Sequence, residues 1–338
     1  MSLIGKAQSY NPKVYPAMYM PSSNPIIIDG NLSDNAWQEV PWTDMFIDIE
    51  GTEKPQPYQD TRVKMAWDES YFYIAAELME AHIWATYDQR DMVIFHENDF
   101  EVFIDPNGDT HNYLELEINA LGTIWDLLLN KPYMLKGTAI NSYDIKGLKT
   151  AVKVYGSIND ASDIDEKWTI EIAIPWSSIN EISNQKGPPQ NGDYWKVNFS
   201  RVHWDIDIVN GEYVKQKDAT TQKIKPENNW VWSPQGLINM HKPEYWGVVV
   251  FLHSPNESLV LKALEKDKIK WKLREVFNFQ KEYYKNNEKY SDNLSRDLED
   301  TNIDLCVLGS TFIVKYCVEN HCYYIREDGR VWESNWKK

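Results

Sequence analysis

Between residues 24 and 252 the chain is a succession of short segments in which apolar and polar side chains alternate, each closed by turn residues. A period of two places alternate side chains on opposite faces of an extended strand. In Tyr113–Asn119, for example, Leu114, Leu116 and Ile118 point one way, and Tyr113, Glu115, Glu117 and Asn119 the other. Met65–Trp67, the turn Asp68-Glu69-Ser70, and Tyr71–Ala76 read as a hairpin. Phe100–Ile104, Ile124–Leu129, Lys149–Tyr155, Trp168–Ile174, Trp195–Trp204 and Trp246–Leu252 are further strands, and helical spacing is nearly absent apart from a short turn after Pro175. Many short antiparallel strands joined by regular turns predict a mainly β fold, an antiparallel β-sandwich of jelly-roll type.

The pattern changes at Ser254-Pro255-Asn256. Asn256 is placed to cap a helix with Glu257 in its first turn. Ile269, Leu273, Val276, Gln280 and Tyr284 follow at helical spacing, so one long amphipathic helix is expected to run to about residue 298. Strand-like runs at Leu305–Leu308, Phe312–Val318 and Cys322–Ile325 come after it, with Asp328-Gly329 as a turn. Residues 24–253 are therefore expected to form the sandwich, and 254–338 a helix with a small sheet, whose helix is a candidate surface for a protein partner. Residues 1–23 are expected to be a flexible N-terminus or the remnant of a trimmed signal, Ala7-x-Ser9 having the small-x-small form of a cleavage site. That reading places the protein outside the cytoplasm, in the periplasm or secreted. Of the three cysteines, Cys317 and Cys322 are spaced to pair across a turn, leaving Cys306 free.

Charge narrows the partners. The net charge is −16, and residues 255–338 carry 15 basic and 15 acidic side chains, so the whole imbalance lies in the sandwich region. So acidic a body repels nucleic acid and anionic lipid, and no stretch is long and apolar enough to span a membrane. Neutral ligands and cations remain. The same region holds twelve of the fifteen tryptophans, more than a core of this size needs. Rings left on a surface stack well on the C–H faces of sugars, which points to a neutral oligo- or polysaccharide.

Four segments occur in an order that resembles the family 9 carbohydrate-binding modules. They are Ile28-Asp29-Gly30-x-Leu32-x-Asp34-x-Ala36-Trp37, Ala66-Trp67-Asp68-x-x-Tyr71-x-Tyr73, Glu97-Asn98-Asp99-Phe100-Glu101-Val102-Phe103-Ile104-Asp105-Pro106, and Asn228–Pro243 with Trp246-Gly247. The resemblance covers residues 25–251 and leaves out the tail. It implies a β-sandwich that grips the end of a glycan between two aromatic rings, binds structural calcium and catalyses nothing, in the service of polysaccharide use and sometimes beside glycoside hydrolases. One of the two rings falls at Phe95. The other falls at Met240, which is not aromatic, so Trp230 or Trp232 must supply it from the same loop or the pinch is absent.

The expected binding residues are Phe95, Tyr113, Glu115, Glu117, Asn119, Trp125, Asp126, Arg201, Trp230 and Trp232. Glu115 and Glu117, about 6.5–7 Å apart on one strand face, offer acceptors for sugar hydroxyls. Asn119, Asp126 and Arg201 add polar groups, and Trp125 a plane. A plain solvated face with a structural Arg–Glu pair is the competing reading of these strands, and a core role that of Trp230 and Trp232. Calcium is assigned to two acidic loops, Asp105-x-Asn107-x-Asp109 and Asp160-x-x-Asp163-x-Asp165, each of which also reads as an ordinary turn. Histidines His96, His111, His203 and His241 lack zinc spacing, and no haem is expected, since Met240-His241 would need a further ligand such as Met92 or His96. Two alternatives stand beside non-catalytic binding. One is a glycoside hydrolase using Glu115 and Glu117; the other is a scaffold that has lost its ligand.

Overall fold

The structure is a computed structural model that describes residues 10–298 and 300–335. The expected signal remnant at residues 3–9 lies outside the described residues. Alternation along the chain produces what it predicts: strands at Thr61–Trp67, Tyr71–Met79, Asp99–Asp105, Tyr113–Ile118, Ile124–Leu129, Lys149–Tyr155, Lys167–Pro175, Tyr194–His203 and Gly247–Leu252. They join one curled sheet of thirteen strands whose two halves close over a single apolar core. Neighbouring strands are mostly antiparallel, but the fold is mixed. Val14–Tyr19 runs parallel to both Gly247–Leu252 and Thr61–Trp67 and links the two halves. This corrects the expectation of a flexible segment up to residue 23. Pro16 interrupts the pattern on paper, yet Tyr15 and Ala17 are buried on the core side.

The Ile28–Trp37 segment is tied to the sheet by one carboxylate. Glu171 accepts hydrogen bonds from the amides of Asp29 and Gly30 at 2.9 and 2.8 Å and from Trp37 Nε1 at 2.6 Å. Gly30 has φ +83°, and a Cβ there would lie 2.8 Å from the backbone of Lys153. A glycine is required on both counts.

Asn256 caps the tail helix, Glu257–Asn287, by accepting from the Leu259 amide at 3.1 Å. The helix ends eleven residues before the expected 298, at a left-handed Glu288. Leu273, Val276 and Phe277 pack on a four-stranded antiparallel sheet of residues Ile303–Leu308, Thr311–Val318, His321–Arg326 and Val331–Asn335. Its first turns cover Val248, Val250 and Leu252 of the sandwich. Cys317 and Cys322 form a disulfide between adjacent strands, and Cys306 is free and exposed.

Candidate functional site

Asp99–Asp105, Tyr113–Ile118 and Ile124–Leu129 lie side by side in the sheet, Glu101 opposite Glu117 and Glu117 opposite Trp125. One face of these strands, with Phe100, Val102, Ile104, Leu114, Leu116 and Ile118, is buried in the core. The other face carries Asp99, Glu101, Phe103, Tyr113, Glu115 and Glu117, as the alternation predicts. Over it opens a cleft of about 240 Å³, walled by Phe95, Met240 and His241 and floored by Glu101, Glu115 and Glu117. The volume is just below that of ordinary small-ligand pockets, about 300–1,000 Å³.

The floor is strongly acidic. One carboxylate oxygen from each of Asp99, Glu101 and Glu117 lies within 4.8 Å of the others. All three are buried, as is Glu115. Neither oxygen of Asp99 accepts a well-formed hydrogen bond, the Val202 amide lying only near enough to offset part of the rise in its pKa, and Glu115 Oε2 is also without a partner. Glu117 accepts from the Phe95 amide at 3.0 Å. Burial first, and then the neighbouring carboxylates, push Asp99, Glu115 and Glu117 well above the usual carboxylate range. Burial also raises Glu101, to about 7.

The walls supply flat surfaces. Phe95 is half-buried and stacks on Trp125, ring centroids 6.3 Å apart and planes 24° apart. On the other side Met240 faces the cleft beside His241, whose Nδ1 lies 3.1 Å from the Tyr113 hydroxyl. Burial lowers the His241 pKa to about 4, so the imidazole is neutral. Tyr133 packs edge-on against His241 at 4.5 Å with almost half its surface exposed, and the charges of Glu115 and Glu117 raise its phenol to about 12 after burial does.

The expected residues therefore separate into two groups. Phe95, Glu115 and Glu117 reach the cleft, Trp125 backs Phe95, and Tyr113 is buried beneath His241. Asn119 is buried and donates to Tyr87 O and Glu97 at 2.7 and 2.8 Å. Asp126 is ion-paired with Arg90 and accepts from the Ile145 amide. Arg201 is buried and paired with Glu80 at 2.5 Å, with Thr61 at 3.0 Å. These three hold the fold together and do not face the cleft.

Trp230 and Trp232 do share one side of their strand, but it is the core side. Trp230 stacks on His203, and Trp232 packs between Tyr15 and Phe199; they are only 3 % and 2 % exposed. Val231, between them, faces the cleft-side cluster. Ten of the twelve tryptophans before residue 250 are buried, which corrects the expectation of an indole-rich surface. Asp99, Glu101, Tyr133 and His241 were missed. Asp99 and Glu101 were legible from the same alternation that gave Glu115 and Glu117, whereas nothing local in sequence brings residues 133 and 241 together.

Among the described residues, neither acidic loop brings three carboxylates together on one point. Asp105 takes the amides of Asn107, Asp109 and Thr110, and burial raises its pKa to about 7. Lys270 reaches the Asn107 carbonyl, and Arg330 pairs with Asp109, so the loop is already met by cations from the tail. In the second loop Asp165 accepts from the amides of Ile83 and Ser157, Asp163 from the Ser157 hydroxyl and Asp160 from Ser162. These oxygens tie turns together. Among the described residues, Asp99, Glu101 and Glu117 are the acidic group that converges on one point.

No curated protein is significantly similar to the chain. Among solved structures, it resembles a candidate carbohydrate-binding protein from Bacteroides uniformis, at 17% identity and a TM-score of 0.50, over 71% of this chain and all of that one. Family 9 carbohydrate-binding modules from Caldicellulosiruptor kristjanssonii, solved with cellotriose and with glucose, align at 16% identity and a TM-score of 0.45. They cover 73% and 72% of this chain and 97% and 98% of those. The Bacteroides likeness concerns the fold alone. The sequence itself matches the carbohydrate family 9 binding domain-like family over residues 28–251, two thirds of its length, and the chain belongs to that family.

Proposed function

We propose that the protein binds neutral carbohydrate, without catalysis, in the cleft beside Phe95. The observation that carries this reading is the pairing of a half-exposed ring with a carboxylate-lined floor in one open hollow. A sugar presents a C–H face to a ring and hydroxyl donors to acceptors, and this hollow offers both. Met240 stands where the family places its second ring, and Tyr133, edge-on to the neighbouring His241, is the exposed aromatic best placed to compensate. The Cys317–Cys322 disulfide supports an extracytoplasmic location.

A hydrolase reading draws on the raised acidities of Glu115 and Glu117, since a general acid must stay protonated. Its weakness is that the spacing is generic: about 6.5–7 Å falls in the inverting range of about 6.5–9.5 Å, but any two alternate residues on one strand face stand that far apart. Isothermal titration of glucose, cello-oligosaccharides and a wider glycan panel tests binding: saturable heat that weakens in Phe95→Ala supports it, and no heat from any sugar overturns it. Reducing-sugar release lost in Glu115→Gln would favour the hydrolase instead.

A further inference from the structure

We propose that Asp99, Glu101 and Glu117 form a binding site for one hard divalent cation in the floor of the cleft. Three oxygens, one from each side chain, already lie within 4.8 Å of one another, a spacing that a single ion can bridge. The arrangement comes from the sheet itself: Glu101 and Glu117 are direct cross-strand partners, and Asp99 follows on the same face two residues along. Like charges directly opposite each other destabilise a sheet. Here they are also buried, at 0, 5 and 1 % exposure for Asp99, Glu101 and Glu117, and no lysine or arginine pairs with them among the described residues.

A second observation is independent of the clustering. Asp99 leaves both its oxygens, and the adjoining Glu115 leaves Oε2, buried with no hydrogen-bond partner. Orphaned acceptors of this kind are costly in a protein interior, and a cation satisfies several of them at once. Elsewhere this chain does answer its buried charges: Glu80 is met by Arg201, and Asp267 by Lys196. The cleft gives an entry path, because Glu101 and Glu117 line it directly.

The donor set fixes the class of ion. All three ligands are carboxylates, with no thiolate or imidazole among them, which suits calcium, magnesium or manganese rather than zinc or copper. Two or three negative charges against one dication leave the floor near neutral. Coordination positions facing the cleft stay open to water or to a ligand hydroxyl. The site does not depend on the carbohydrate reading, and its test contains no sugar.

Full-length protein, stripped with a chelator, is titrated with calcium, magnesium and manganese chlorides by calorimetry at pH 8, and thermal melts are recorded with and without each ion. One ion per chain is expected, with a rise in Tm. Asp99→Asn and Glu101→Gln should each weaken binding at least tenfold, while Asp163→Asn, in the outlying acidic loop, should not. Both floor variants relieve repulsion, so without metal they should melt at or above the temperature of the stripped parent, which separates loss of the ion from loss of the fold. No heat and no Tm shift with any of the three ions overturns the proposal, as does undiminished binding by Asp99→Asn and Glu101→Gln.

Discussion

Glu101 and Glu117 face each other across adjacent antiparallel strands, acid against acid, on the side of the sheet that opens to the cleft. An arrangement with a structural purpose alone would set a lysine or arginine against one of them, as Arg62 and Lys167 are set against Glu77 elsewhere in the same sheet. The pair instead concentrates acceptors at a place on the sandwich where the half-exposed Phe95 ring stands close by.

Binding should depend on Phe95 and Tyr133 rather than on the loop tryptophans. Phe95→Ala and Tyr133→Ala are each expected to weaken sugar binding about tenfold, equivalent to about 1.4 kcal/mol, with no change in Tm beyond a few degrees. Calorimetry beside melting curves decides it, and unchanged affinity in both variants would show that the rings do not touch ligand.

Trp232 is a matter of stability. Removing its buried ring in Trp232→Ala should cost about 3–5 kcal/mol. Gly247→Ala attacks the same contact from the other side, since a Cβ there would come within 2.3 Å of the indole; overpacking of this kind costs about 1–3 kcal/mol or more. Urea denaturation reads both, and a Gly247→Ala protein as stable as its parent would mean that the ring is free to move aside.

Breaking the buried Arg201–Glu80 pair should also be severe. Arg201→Met leaves the buried Glu80 with only Asn98 and His203, each at 3.4 Å, and is expected to cost about 3–5 kcal/mol. The double variant Arg201→Met with Glu80→Gln should recover part of the loss. Equal destabilisation in single and double variants would count against a direct coupling.

Acid should act through His241. Unfolded, the imidazole takes a proton near pH 6.5; in the fold, burial delays this to about pH 4. Between those values the unfolded chain binds more protons, so the His241 contribution falls as pH drops and is constant above 6.5. The difference between parent and His241→Gln should therefore change by about 2–4 kcal/mol between pH 7.5 and pH 4. The comparison cancels the opposing effect of Glu101, which favours the fold at low pH. Parallel stability curves for the two proteins would refute the assignment.

The sandwich was legible because its strands obey a strict period of two, and each strand from Thr61 to Leu252 that the pattern marks is present within a residue or a few. The cleft-facing row Tyr113, Glu115, Glu117 followed from that period as well. What periodicity could not supply was the sign of a face. Trp230-Val231-Trp232 has the right phase, but whether the indoles or the valine turn to the core depends on the neighbouring strand at Tyr194–His203. Arg201 was misread for a related reason: its partner Glu80 is 121 residues away. His241 and Tyr133 meet only through loop packing, and Val14–Tyr19 was hidden by Pro16.

The contacts of the tail bear on how the protein can be divided. Lys270 and Arg274 reach from the helix to the loop at residues 107–110, and the helix start shields Val248, Val250 and Leu252. A fragment trimmed to the family limits, 28–251, would lose that cover together with the Val14–Tyr19 strand that bridges the two halves of the sheet. Excised at those limits, the unit is expected to expose raw apolar edges and to self-associate, so a fragment meant to fold by itself should keep the Val14–Tyr19 strand and the tail helix.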